Sequence, residues 1–161
     1  MKKLAVLAVL LLVSACGVKP TPVVAAGPAP TLRSPATAGR GTDLILYFVL
    51  ADRVAPVVRP SAGVVGVESA LTMLLDGPSV DEREGGYTTA LPGPSGTIAL
   101  TPGSPATITV PFPLRPLTGV GISQLVCTAF AALAAQGRYA VDGTIDLAGP
   151  DVRLPYQTCQ A

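Results

Sequence analysis

The sequence predicts an α+β fold: one small two-layer domain over residues 42–161, with a mixed or antiparallel sheet and two helices packed on it. Three observations carry this. Two stretches repeat apolar residues at helical spacing, and each stops at a glycine. Six other segments have strand character and are bounded by Pro, Gly or polar turns. Their order, β-β-α-β-β-α-β-β, lays both helices on a sheet, and about 120 residues suffice for one core.

Each element has its own reason. The run 44–50, Leu-Ile-Leu-Tyr-Phe-Val-Leu, is apolar throughout. Its length and its β-branched and aromatic content predict a strand buried on both faces, with Tyr47 and Phe48 in the core. Ala51-Asp52-Arg53 reads as a turn. Val54 to Arg59 reads as a returning strand that Pro56 and Pro60 confine to an edge. Val64 to Asp76 carries apolar residues at 64, 67, 71, 74 and 75, a helix face, with Glu68 and Ser69 off it in solvent. Gly77-Pro78 stops this helix, because Gly accepts the left-handed conformation and Pro cannot continue the turn. Asp81 to Gly86 reads as a polar turn.

The second half repeats the logic. Thr97–Leu100 and Ala106–Val110 flank Pro102-Gly103-Ser104-Pro105 and predict a hairpin. Pro111, Pro113 and Pro116 force an extended exit. Ile122 to Gln136 places apolar residues at 122, 125, 126, 129, 130 and 133, with Gln124, Thr128 and Ala131 pointing away and Gly137 as the stop. Ser123 reads as a helix-start or surface hydroxyl. Tyr139–Leu147 and Val152–Tyr156 supply two further strands around Gly149-Pro150.

Composition narrows the chemistry. Of 161 residues, 13% are charged, about half the usual share, the net charge is +1, aromatics are 4%, and there is neither Trp nor His. Without histidine there is no Ser-His-Asp triad, no Cys-His dyad and no imidazole base or metal ligand. The balanced charge leaves no electrostatic footprint for nucleic acid. Ser14, Ser61 and Ser123 have no accompanying base and no G-x-S-x-G setting. No catalytic residue, metal or cofactor is expected. Asp81, Glu82 and Glu84 do not follow the EF-hand spacing, and Arg83 sits among them, so a solvated loop is the simpler reading. Asp142 and Asp146 are four apart in an expected strand and share a face, the arrangement on which a small-molecule-binding or hydrolytic alternative rests.

The first residues predict the compartment. Met1-Lys2-Lys3 is a short positive start, and Leu4 to Val13 is a ten-residue apolar run. A bilayer core of about 30 Å needs about 20 helical residues, so this run has the length of a signal-peptide core instead. Val13-Ser14-Ala15-Cys16-Gly17 follows and resembles the bacterial lipobox. Residues 1–15 are therefore expected as a signal peptide, and Cys16 as the lipidated first residue of the mature protein. Two or three acyl chains, palmitate among them, would hold it durably on the extracytoplasmic face of the membrane. The competing reading is an ordinary signal peptide with an incidental cysteine. Residues 17–41 contain five prolines, no acid and no apolar period. They read as a tether reaching between about 30 Å as a coil and about 75 Å as polyproline. Lys19, Arg33 and Arg40 make it basic, while residues 42–161, with six arginines and all ten acids, carry −4. That difference argues against the domain lying flat on an anionic membrane.

Setting Cys16 aside leaves Cys127 and Cys159. A pair of cysteines in an exported domain reads as a disulfide, with two free thiols or a redox pair as alternatives. At about 100° per residue, Cys127 falls about 130° from the centre of the apolar stripe, on a flank open to a passing segment. The bridge would close about 33 residues and contribute roughly 3–4 kcal/mol in the chain-entropy model.

The stretch Ala70-Leu71-Thr72-Met73-Leu74-Leu75-Asp76-Gly77-Pro78-Ser79, then Glu82, Gly86 and Thr89-Ala90-Leu91-Pro92, resembles GerMN domains. Those carry a helix ending in Leu-Leu-x-Gly-Pro-Thr/Ser, an acidic loop and a Thr-x-Ile/Leu-Pro step into a hairpin. Gln124-Leu125-Val126-Cys127-Thr128 is similar to their second helix, and Ile45–Leu50 with Val57-Val58-Arg59 to their opening strands. The likeness spans nearly all of residues 43–146. Pro111-Phe112-Pro113, the Cys pair and the strand after Asp151 depart from the pattern. The resemblance implies a lipoprotein of the actinobacterial LpqB type or the sporulation type. It would be a non-catalytic envelope module whose partners are an envelope protein or a cell-wall component.

Overall fold

The structure, a computed structural model, describes residues 43–138, 140 and 142–161. The expected signal peptide 1–15, lipidated Cys16, the tether through residue 41, and residues 42, 139 and 141 lie outside them. Among the described residues no helix is long and apolar enough to cross a membrane.

The element order is β1 (Leu44–Leu50), β2 (Arg53–Arg59), α1 (Val67–Leu75), α2 (Val80–Glu84), β3 (Ala99–Thr101), β4 (Ala106–Thr109), α3 (Gly119–Ala135), β5 (Ile145–Ala148) and β6 (Arg153–Gln157). The α+β class is as the sequence predicts, with helices packed on mixed sheet. The strands divide in two: an antiparallel β1-β2 ribbon, and a four-stranded sheet ordered β3-β4-β5-β6. Within the latter, β4 and β5 run parallel and the outer pairs antiparallel. The parallel pair requires a crossover, and α3 supplies it.

β1 departs from the expected two-sided burial. Leu44, Leu46 and Phe48 are buried, while Ile45, Tyr47 and Leu50 are half-buried. A two-stranded ribbon has one packed face, so Phe48 enters the core and Tyr47 does not reach it fully. β2 is an edge, as Pro56 requires, and among the described residues pairs only with β1. Ala51 and Asp52 both take positive φ, 49° and 62°, the two-residue turn whose twist matches the strands.

α1 starts later than the periodicity suggests. Its N-cap Gly66 has no side chain to accept the first amides, so Val64 stays outside the helix and exposed. Val67, Leu71, Leu74 and Leu75 are buried as expected. Gly77 takes φ 85° and donates to the Leu74 carbonyl at 3.1 Å, the predicted stop. The expected polar turn is instead α2. Ser79 accepts from the Glu82 amide at 3.2 Å, and the Glu82 carboxylate accepts from the Ser79 amide at 2.7 Å, a reciprocal cap that favours one helical turn.

α3 begins at Gly119, three residues before the expected start, because Thr118 accepts the Gly121 amide. It ends in a Schellman motif. Gly137 has φ 68° and donates to Ala134, and Arg138 donates to Leu133. It packs on both β1 and α1, so it is buried beyond its apolar stripe. Gln124, Thr128 and Cys127, placed by spacing away from that stripe, are all buried. One continuous core joins Leu46 and Phe48 of β1, Leu71 and Leu74 of α1, Leu125 and Ala129 of α3, and Ile145 and Leu147 of β5.

β5 is shorter than expected, starting at Ile145. Asp142 and Gly143 form a turn before it, and Gly143 has φ 62°. Gly149 closes the β5-β6 connection where a Cβ would meet Leu114 Cγ at 2.9 Å and the Phe112 carbonyl at 3.0 Å. Asp151 there accepts the Leu114 and Arg115 amides at 2.8 and 3.0 Å, fixing the proline-rich exit from β4.

Candidate functional site

Three polar constellations stand out. The first lies where α3 meets the edge of β1. Gln124 Nε2 donates to the Tyr47 carbonyl at 3.0 Å, and its Oε1 accepts the Ala90 amide at 2.8 Å. Thr128 Oγ1 accepts the Tyr47 amide at 3.0 Å. Gln124 and Thr128 are one helical turn apart and therefore share a face. Together they satisfy the edge of β1 that no strand pairs at Tyr47. Beside them, Val49 and Thr88 exchange amide-carbonyl bonds at 2.8 Å. The segment Thr89–Pro92 and the helix segment Gln124–Thr128 thus meet at one buried polar seam. Such groups cost little when fully paired and a great deal when one partner is lost.

The second centres on Arg59. Its Nη2 and Nε contact Glu82 Oε2 and Oε1 at 2.7 and 2.9 Å, and Nη2 also donates to the Gly77 carbonyl at 3.0 Å. The guanidinium carbon lies 5.4 Å from the Phe48 ring centroid. This planar, forked pairing holds the end of α1 and the start of α2 against the ribbon. The Arg59 hydrogen bond lowers the Glu82 pKa below the ordinary glutamate value, against the opposing effect of burial.

The third joins β5, β6 and the tail. Asp146 is buried, and its carboxylate accepts the Tyr156 amide at 2.9 Å and Arg153 Nη2 at 2.8 Å. The Tyr156 amide and then Arg153 lower the Asp146 pKa. Tyr156 takes φ 55°, a left-handed conformation uncommon for a bulky residue, and is 68% exposed. Its segment borders two adjoining clefts of about 570 and 310 Å³ that share Gly119, Ser123 and Gln160. Cys127 and Cys159 form a disulfide with Cα atoms 4.6 Å apart, which fastens the tail to α3.

The sequence-singled acids separate. Glu82 is committed to the cap and Arg59. Asp146 is committed to Arg153 and Tyr156, while Asp142 is exposed in the preceding turn, not on a shared strand face. Among the described residues no three His, Cys, Asp or Glu side chains gather as a metal-binding group. Cys127 is buried, a correction to its expected open flank: α3 is enclosed on nearly all sides, and the tail reaches it there. The sequence reading gave Arg59, Gln124, Thr128 and Tyr156 no part in a site. The Ser79-x-x-Glu82 spacing signals the cap, and the i, i+4 pairing of Gln124 with Thr128 signals the seam. Nothing local marks Tyr156.

No protein-family model, curated protein or solved structure matches the chain.

Proposed function

We propose that this chain is a lipid-anchored extracytoplasmic lipoprotein of GerMN type, whose domain is a non-catalytic module that docks an envelope protein or a cell-wall component. The Cys127–Cys159 bridge is the observation that carries the reading. Disulfides persist in oxidising surroundings outside the cytosol, and the apolar run ending at Cys16 supplies a route there. Two further points support it. The segments that resemble GerMN domains meet in the Gln124 seam and in the Ser79–Glu82 cap, where they build the fold. Of the acids suited to proton transfer, Glu82 and Asp146 are already engaged in ion pairs.

The test has two parts. Mass spectrometry of protein from membranes should show an acylated Cys16 as the first residue. Crosslinking of the anchored chain in cells should capture an envelope protein or cell-wall fragment. An intact Met1 with underivatised sulfurs, in protein recovered from cytosol, refutes the reading.

A further inference from the structure

The paired clefts between the start of α3, the β1-β2 turn and the tail have a mixed polar and aromatic lining. Asp52, Arg53, Ser123, Tyr156, Thr158 and Gln160 supply a carboxylate, a guanidinium, two hydroxyls, an amide and one aromatic side chain. Ser123, only 9% exposed, is shared by the linings of both clefts. Tyr156 is the most exposed of the large hydrophobic residues. Its left-handed backbone is held by the buried Asp146, itself fixed by Arg153. Strain maintained by a buried carboxylate, with a ring presented to solvent as the result, points from the outlier toward a use for the ring.

We propose that these clefts form a saccharide-binding site, taking a neutral oligosaccharide such as a stretch of cell-wall glycan. This rests on the envelope reading above and commits it to one ligand class. Sugars offer what this lining complements. Their hydroxyls both donate and accept, which suits Gln160, Thr158, Ser123 and Asp52. One face of a pyranose ring presents C–H groups, which stack on the negative face of an aromatic ring such as Tyr156. The clefts are open, as an oligomeric chain longer than the site requires. Asp52 and Arg53 together bring no net charge, consistent with a neutral ligand. The Cys127–Cys159 bridge keeps the segment bearing Thr158 and Gln160 against α3, so the wall of the site is held in place before any ligand arrives.

The test is titration of the full-length chain in detergent micelles with chitotetraose and with cellotetraose, followed by calorimetry. Saturable binding of at least one, with an affinity of about 1 mM or tighter, is expected. Tyr156→Ala should weaken it at least tenfold, Tyr156→Phe should retain it, and Gln160→Ala should weaken it several-fold without altering the unfolding temperature. Absence of saturable binding of either sugar overturns the proposal, as does undiminished binding by Tyr156→Ala. If Tyr156→Ala does not fold, unchanged binding by Gln160→Ala and Ser123→Ala together overturns it. A chain that binds neither sugar yet carries an acylated Cys16 and crosslinks to an envelope protein refutes this site and leaves the envelope reading standing.

Discussion

The side-chain amide of Gln124 donates to the Tyr47 carbonyl at 3.0 Å across 77 positions of sequence. The same side chain also accepts the Ala90 amide. One residue therefore ties the central helix, the first strand and the segment entering the β3-β4 hairpin. Gln124→Ala should strip partners from two backbone groups and destabilise the protein by about 3 kcal/mol. Urea unfolding measures this; a loss below about 0.5 kcal/mol would show that the seam is not buried as described.

Acid should weaken the fold through three carboxylates. Glu82 is lowered chiefly by Arg59, and Asp146 chiefly by the Tyr156 amide. For Asp151, burial pushes upward and the Leu114 and Arg115 amides outweigh it, leaving the pKa lowered. A carboxylate with a folded-state pKa below its unfolded value stabilises above the unfolded pKa, near 4. That contribution disappears as pH falls through the lower, folded value. Thermal midpoints should be level with respect to these groups above about pH 5 and fall steadily below about pH 4. Glu82→Gln and Asp146→Asn together should flatten the acid limb.

Ala51 occupies a left-handed position in the β1-β2 turn, φ 49°, where Asn or Gly is the usual occupant. Ala51→Asn should therefore stabilise by up to about 1 kcal/mol, read as a higher urea midpoint at unchanged slope.

Gly149→Ala should act in the opposite direction. The added methyl would meet Leu114 and the Phe112 carbonyl at 3.0 Å or less. Overpacking of this kind costs about 1–3 kcal/mol, and differential scanning calorimetry would register it as a lowered midpoint.

Replacing both Cys127 and Cys159 by Ala should lower stability by roughly 3–4 kcal/mol in the chain-entropy model. The full-length chain's denaturation midpoint, measured with and without the bridge, decides this.

Local chemistry made much of the fold legible. Gly77 and Gly137 marked two helix ends that the structure places at positive φ, because termination depends on a conformation that few other residues accept. Pro56 marked an edge for the same kind of local reason. Burial was less legible. The wheel that set Gln124, Thr128 and Cys127 outside counted only apolar residues, yet α3 is enclosed by β1 and α1 together, and its polar side chains answer backbone groups that the helix itself does not contain. The division of strands into two sheets follows from such long-range fits. So does the posture of Tyr156, set by Asp146 ten positions earlier. Arg59 reached Glu82 across 23 positions, a distance at which periodicity carries no information.

The sulfur bridge also secures one wall of the cleft. Until Cys127 and Cys159 are oxidised, the last residues have no covalent hold on the central helix, and the cleft lacks one wall. With the bridge reduced, the chain would keep the core that β1, α1 and α3 share while this cleft stood incomplete.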